Sequence, residues 1–222
     1  MKKKYYLFKF DFLFINIFSI VLFIFMYLIS YLFFDYNIFS SLLFDKTNWF
    51  LIFFYYLLYT FIHELLHSIA YILGGAKFKN ITFGIMLEKG ILYCLCKQNI
   101  SKRNILVSTM FPLFFIGIIT YIIGVIYNYD ILTLLSIFNI AGCSGDIIMF
   151  IFISKLKNIE FSEFDDPVYF AIYSNKDVSK VKHIGLKYEG KVEKIKREDK
   201  RKIVVSFFSI LLLLFLLIIS FV

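Results

Sequence analysis

The sequence predicts an all-α polytopic membrane protein with about five transmembrane helices and a small cytoplasmic β-hairpin after the second helix. Of its 222 residues, 60% are hydrophobic and only 18% are charged, whereas soluble domains are nearer half apolar and a quarter charged. Five segments reach the roughly 20 apolar residues that a spanning helix needs. This composition excludes a water-soluble globule, a collagen, a disulfide scaffold and a disordered chain.

The predicted spans are separated by short polar segments that hold most of the charge. The first span follows Met-Lys-Lys-Lys, but its apolar run is longer than that of a signal peptide and no A-x-A cleavage pattern follows it, so it is predicted to be a retained anchor. The predicted helices cover residues 12–34, 49–73, 105–127, 131–153 and 203–222.

The charge of the segments between the spans alternates in sign. From the Lys, Arg, Asp and Glu counts, the net charges are +3 for 1–11, −1 for 35–48, +5 for 75–106, −1 for 128–130 and +4 for 154–202. Positive segments stay in the cytoplasm. The pattern therefore predicts a multi-pass protein of the cell membrane, in contact with the lipid bilayer, with a cytoplasmic N-terminus and an outside C-terminus.

Two segments outside the spans have a predicted conformation. Residues 81–96 contain two β-prone runs around Glu88-Lys89-Gly90 and are predicted to form the hairpin. Residues 154–202 are charged and predicted to be a loop-like cytoplasmic segment. The net charge of +8 is spread over these segments instead of being gathered on one basic domain, so no nucleic-acid partner is expected.

Ionisable side chains inside the predicted spans are confined to two helices. They are His63, Glu64 and His67 in the second span and Asp146 in the fourth. Each such group costs several kcal/mol in the bilayer, which marks a functional site. The alternative is a buried polar network that joins the helices.

The motif His63-Glu64-Leu65-Leu66-His67 is typical of zinc hydrolases. Residues i and i+4 share one helix face, so the two imidazoles can bind one Zn²⁺ ion. Glu64 can then take a proton from a metal-bound water. A catalytic zinc site needs a third protein ligand. Asp146 is predicted to be that ligand, because it and His67 lie about 13 and 15 Å from the basic residues that follow their helices.

Two further residues are candidates for substrate binding or for support of the ligands. Asn139 lies two helical turns before Asp146 and could orient a ligand, bind substrate or make a plain interhelical hydrogen bond. Pro112 lies inside the third span, where it frees backbone groups and could shape the cavity or only kink the helix. Cys143 lies one turn from Asp146 and could ligate, but it is expected to be a small packing residue. Cys94-x-Cys96 is incomplete as a zinc site, so these two are expected to be packing or incidental cysteines.

The order of these motifs resembles the family of small bacterial membrane proteins known as putative zincin peptidases, which are distantly similar to the site-2 proteases. The resemblance covers residues 50–170 and rests on H-E-L-L-H at 63–67, C-x-C at 94–96, Phe-Pro at 111–112, Ser-Gly-Asp at 144–146 and Asp-Asp-Pro at 165–167. The resemblance implies His63, His67 and Asp146 as zinc ligands and Glu64 as the catalytic base.

The expected function is that of an integral-membrane zinc metalloprotease. It would hydrolyse a peptide bond of a membrane-associated peptide or protein, within or near the membrane, and the hairpin at 81–96 could hold the substrate as an added strand. One alternative is a catalytically inactive scaffold or regulatory protein that keeps a metal or polar cluster. A transporter is the other, and five spans without a repeat disfavour it.

Overall fold

A computed structural model describes residues 5–34, 48–86, 91–163 and 166–192. Helices and short strands alternate along the chain. They are β1 (Tyr5–Phe10), α1 (Phe12–Phe34), α2 (Asn48–Leu73), a 3₁₀ turn (Phe78–Asn80), β2 (Ile81–Met86), β3 (Ile91–Cys96), β4 (Ile100–Ser101), α3 (Lys102–Pro112), a π-helical segment (Leu113–Ile119), α4 (Thr120–Ile126), α5 (Asp130–Gly142), α6 (Ser144–Ser154), β5 (Ile159–Glu163), β6 (Tyr169–Ser174) and β7 (Leu186–Val192).

The predicted all-α fold class is wrong, because the described chain is a mixed α/β structure. It contains a five-stranded antiparallel sheet in the order β4-β5-β6-β1-β7 and a two-stranded sheet of β2 and β3. The region from residue 154 is therefore not loop-like where it is described. Its charges had suggested a loop, but in β7 they occupy alternate exposed positions, at Lys187, Glu189 and Lys191. The strand β1, which lies between β6 and β7, comes from the other end of the chain, and its Tyr5 pairs with Tyr173 of β6.

The five-stranded sheet packs on the ends of the helices through aromatic side chains. Phe8 of β1, Phe161 of β5 and Phe170 of β6 are at most 1% exposed. The Phe8 ring meets Phe152 of α6 edge to face, with 4.7 Å between the ring centroids. Because aromatic pairs bury large apolar areas, this contact holds the sheet against the last turns of α6.

Three helices of the described chain are long and apolar enough to cross a membrane: 12–32, 50–73 and 102–126. This finding indicates membrane association. The predicted straight span at 131–153 is instead the pair α5 and α6, bent by 44° at Cys143, which together pass the same test. The predicted fifth span at 203–222 and the hairpin turn at 88–90 lie outside the described residues.

The third span changes its helical winding at Pro112. Proline has no N–H, so the carbonyl of Ser108, four residues earlier, loses its usual helical partner. The next seven residues, Leu113–Ile119, are π-helical, and such widened turns are frequent at functional sites. The freed Ser108 carbonyl becomes important in the metal centre described below.

The strands lie at one end of the helices. The strand β1 leads into α1, the hairpin of β2 and β3 follows α2, β4 precedes α3, and β5 follows α6. Lys102 at the start of α3 donates to the carbonyl of Ser154 at the end of α6, over 2.8 Å, which fixes these two ends side by side. The described parts of the segments 75–106 and 154–202, which have positive net charges in the sequence, lie at this strand-forming end of the molecule.

Candidate metal centre

Three predicted ligands meet at one point between α2 and α6. The Nε2 atoms of His63 and His67 are 3.1 Å apart. Oδ2 of Asp146 is 3.4 Å from Nε2 of His63, and Oδ1 is 3.5 Å from Nε2 of His67. Asp146 lies in the first turn of α6, directly after the bend at Cys143, so the bend helps to direct this carboxylate towards α2.

The spacing of these ligand atoms fits zinc. Bonds of about 2.0–2.1 Å at tetrahedral angles place two ligand atoms about 3.3 Å apart, and the observed separations are 3.1, 3.4 and 3.5 Å. Within the described residues, His63, His67 and Asp146 are the one group of His, Cys, Asp or Glu side chains close enough together to hold a metal ion.

Hydrogen bonds behind the two imidazoles fix the orientation of both rings. Nδ1 of His63 donates to Oδ1 of Asn139 over 2.8 Å, and Nδ1 of His67 donates to the Ser108 carbonyl over 2.9 Å. Since each Nδ1 carries the proton, each Nε2 presents a lone pair to Asp146. A cation between them stabilises two lone pairs and a carboxylate that face one point, so the donor set fits a metal ion.

Pro112 helps to orient both imidazoles, through two backbone carbonyls of α3. The absent N–H of Pro112 leaves the Ser108 carbonyl free to accept the proton of His67. The carbonyl of Pro112 faces Nδ2 of Asn139 at 3.5 Å, which turns Oδ1 of that amide towards His63. Asn139 and Pro112 therefore lie behind the metal ligands, and neither lines the cavity in front of them.

A cavity of about 650 Å³ opens in front of the metal centre. Its walls come from both parts of the molecule: α1, α2 and α6 on the membrane side, and β3, β5 and the turn before β6 on the sheet side. A cavity of this size admits several residues of an extended peptide. The residues of β3 that line it are Ile91–Leu95.

Glu64 lies in this cavity beside the metal ligands. It shares the wall with His63, His67 and Asp146, and the backbone N–H of Cys94 in β3 faces its carboxylate. The carboxylate is thus separate from the ligand set and close to it, which is the position that a general base for an attacking water requires.

The small residues at the bend face the cavity instead of a neighbouring helix. A side chain added at Gly142 or Gly145 would meet no atom within 4 Å, and both glycines line the cavity. Their small size keeps the space in front of Asp146 open.

The cysteines take no part in the ligand set. Sγ of Cys143 is 3.9 Å from Nδ1 of His63, on the side of the ring that faces away from Asp146. Cys94 and Cys96 are buried free thiols on β3, and burial raises the pKa of the Cys94 thiol well above its ordinary value. Both observations agree with the packing role expected for them.

One ionisable residue of the cavity had no sequence signal. Glu163 is the last residue of β5, in the segment predicted to be loop-like, and it is 9% exposed. Its Oε1 accepts the Tyr71 hydroxyl proton over 2.9 Å and its Oε2 accepts the N–H of Cys96. Burial raises the pKa of Glu163 to about 7. Asn16, the one amide side chain of α1, also lines the cavity, and its polarity within an apolar span could have drawn attention to it.

Comparison with known proteins gives one match. Residues 56–160 match the model of a family described as putative zincin peptidase. No curated protein and no solved structure matches the chain. The matched region holds the three ligand residues, Glu64 and the supporting residues Asn139 and Pro112, whereas Glu163 lies just beyond it. Residues 56–160 are thus similar to the putative zincin peptidase family, and this similarity indicates a metallopeptidase.

Proposed function

We propose that this protein is an integral-membrane zinc metalloprotease that hydrolyses a peptide bond within or near the membrane. The observation that carries the proposal is the convergence of His63, His67 and Asp146, with tetrahedral spacing, on a cavity that also holds Glu64. Helices long enough to span the bilayer carry or adjoin every one of these residues, which supports a site at membrane depth.

Different residues of the chain bind the metal, transfer the proton and orient the metal ligands. Zinc held by the two imidazoles and Asp146 would supply Lewis acidity, which acidifies water and polarises a peptide carbonyl. Glu64 takes the proton from the attacking water and passes it to the leaving amine. Asn139 and the Ser108 carbonyl hold the imidazole protons on Nδ1 and keep each Nε2 directed at the centre.

The substrate is a membrane-associated peptide or protein that reaches the site in an extended conformation. Helical segments hide their peptide bonds, so the scissile region must unwind. The strand β3 lines the cavity with residues 91–95 and pairs with β2 on one edge. Its other edge faces Glu64 and Glu163, which supports the addition of a substrate strand there. We also propose that the protein is distantly similar to the site-2 proteases.

The orientation in the membrane follows from the charge pattern. The strand-forming end of the molecule holds the described parts of the segments 75–106 and 154–202, whose net charges are positive. Positive segments remain in the cytoplasm. We therefore place this end and the N-terminus in the cytoplasm and the C-terminus outside, so that water reaches the site from the cytoplasmic side.

Zinc content and peptide cleavage test the proposal together. The wild type, purified in detergent, is expected to hold about one zinc ion per chain, and the double variant His63→Ala/His67→Ala none, because both imidazole ligands are gone. Glu64→Gln should keep the zinc and lose ~10²–10⁴-fold in cleavage of a pool of N-acetylated, C-amidated random peptides. Glu189→Gln, on the exposed side of β7, is the control and should retain both properties.

Each measurement has an outcome that contradicts the proposal. A folded wild type that binds no metal after zinc is supplied would make the cluster a polar network in an inactive scaffold. Unchanged cleavage by a zinc-loaded Glu64→Gln variant would remove Glu64 from the reaction.

A further inference from the structure

The sheet-side end of the cavity contains a carboxylate that the proposed reaction does not use. Glu163 projects from β5, and its two hydrogen bonds join α2 through the Tyr71 hydroxyl and β3 through the N–H of Cys96. A carboxylate accepts about four hydrogen bonds, so Glu163 retains acceptor capacity. Because the residue lines the cavity, that capacity is within reach of a bound molecule.

The helix α2 sets the distance between Glu163 and the metal centre. Tyr71 follows His67 by four residues and His63 by eight, which on a helix is about 6 and 12 Å. Its hydroxyl contacts Glu163, so this carboxylate lies on the sheet side of the metal centre. An extended peptide advances about 3.3 Å per residue. Glu163 is therefore about two to four residues from the scissile bond of a peptide bound along β3.

The charges that line the cavity are unbalanced. Its ionisable side chains include three carboxylates, Glu64, Asp146 and Glu163, and none of the described lining residues is Lys or Arg. When all three carboxylates are ionised, one divalent cation leaves one negative charge unbalanced. Asp146 and Glu64 are already committed to the metal and the water. The unpaired carboxylate is Glu163. A buried carboxylate without a cationic partner is costly, and a cation that enters beside it removes part of that cost.

We propose that Glu163 is a specificity-determining residue that selects peptides with a Lys or Arg side chain a few residues from the scissile bond. This inference rests on the proposed function and names its substrate class. Basic residues commonly flank the cytoplasmic ends of membrane spans. With the sheet end in the cytoplasm, the substrate is then a membrane-anchored chain whose basic flanking residue lies against Glu163 while the neighbouring bond lies at the metal centre.

Cleavage of single-position peptide series measures this selectivity. Around a bond mapped in the random pool, N-acetylated peptides with Lys, Gln or Glu at each position within four residues of it are compared with the full-length, zinc-loaded protein. A hydrogen bond between a charged donor and a charged acceptor adds favourable binding free energy. We therefore expect about a tenfold or greater preference in kcat/KM for Lys over Gln at one position. Glu163→Gln should bring that ratio to about one, and Glu163→Lys should favour Glu.

Matched variants separate selectivity from a structural role. Glu160→Gln, on the same strand with its carboxylate bonded to Asn99, should keep the preference. Tyr71→Phe removes one hydrogen bond from Glu163 and keeps its charge, so the preference should also survive. If Glu163→Gln slows the Lys and Gln peptides equally, Glu163 is only a brace and the proposal is wrong. The same peptides are also prepared with a free N-terminal amine. If only this second series shows the preference, the selected group is not a side chain and the proposal is also wrong.

Binding separates a failure of this inference from a failure of the proposed function. Zinc-loaded Glu64→Gln protein is titrated with fluorescent Lys and Gln peptides, and fluorescence anisotropy gives Kd. Tighter binding of the Lys peptide that disappears in Glu64→Gln/Glu163→Gln upholds the inference even where no cleavage is found. Equal affinities overturn it even if the wild type is an active protease.

Discussion

The two ends of the cavity each hold a buried carboxylate, but the partners of those carboxylates differ. At the metal end, Asp146 faces the Nε2 atoms of two imidazoles whose protons lie on the far side. At the sheet end, Glu163 faces a hydroxyl and a backbone N–H, both of which donate to it. The first arrangement is stabilised by a cation between the groups, and the second is hydrogen-bonded without one. A candidate metal site is thus distinguished by facing nitrogen and oxygen atoms that carry no proton for a hydrogen bond.

Substitution of each carboxylate in turn should give the largest difference between the two ends of the cavity, measured as zinc affinity. Asp146→Asn deletes a ligand, so its zinc affinity should fall about 100-fold or more, beyond the effect of residues that only support the ligands. Glu163→Gln should leave zinc affinity within about twofold. Competition with a chelating dye measures both constants. A loss of zinc in Glu163→Gln equal to that in Asp146→Asn would contradict the division of the cavity into two ends.

A substitution that improves the helix should weaken the metal centre. Pro112→Ala restores an N–H that bonds the Ser108 carbonyl, and His67 then loses the acceptor for its Nδ1 proton. Loss of such a partner costs ~10–100-fold in metal affinity. The same zinc competition tests this, with Pro167→Ala in the turn before β6 as control. Unchanged affinity would show that His67 finds another acceptor.

The stability of the folded protein should depend on pH through Glu163, at the sheet end of the cavity. Burial raises the pKa of Glu163 from 4.5 to about 7. Between these values the folded state keeps a proton that the unfolded state releases, so stability falls as pH rises through this window. The full effect is at most about 3 kcal/mol. Thermal melts of zinc-free protein at pH 5 and pH 8 should show a smaller drop for Glu163→Gln. Parallel drops in both proteins would contradict this assignment.

The metal centre could be predicted from sequence because its information is local. His63 and His67 are one helical turn apart, and Asp146 is conspicuous as a charge inside an apolar span. It could also be predicted that Pro112 frees a backbone carbonyl in its own helix. Its partner was not, because nothing in α3 alone shows that His67 lies beside Ser108.

The sheet could not be predicted in the same way. Its central strand pairs Tyr5 with Tyr173, and no local pattern connects positions so far apart. Charges on the exposed face of β7 made that strand resemble a loop. The role of Glu163 depends on this pairing, since only the assembled sheet brings β5 beneath α2. Local periodicity and the charge inside an apolar span therefore located the three candidate ligands, and tertiary pairing supplied the opposite wall of the cavity.

The position of β1 between β6 and β7 has a consequence for the timing of biosynthesis. A ribosome adds about 5–20 residues per second, so the first strand emerges roughly 8–35 s before its partners exist. During this interval the H-E-L-L-H helix is already made, but the wall that holds Glu163 is not. The newborn chain thus has an incomplete cavity until β5 and the strands that follow it are translated.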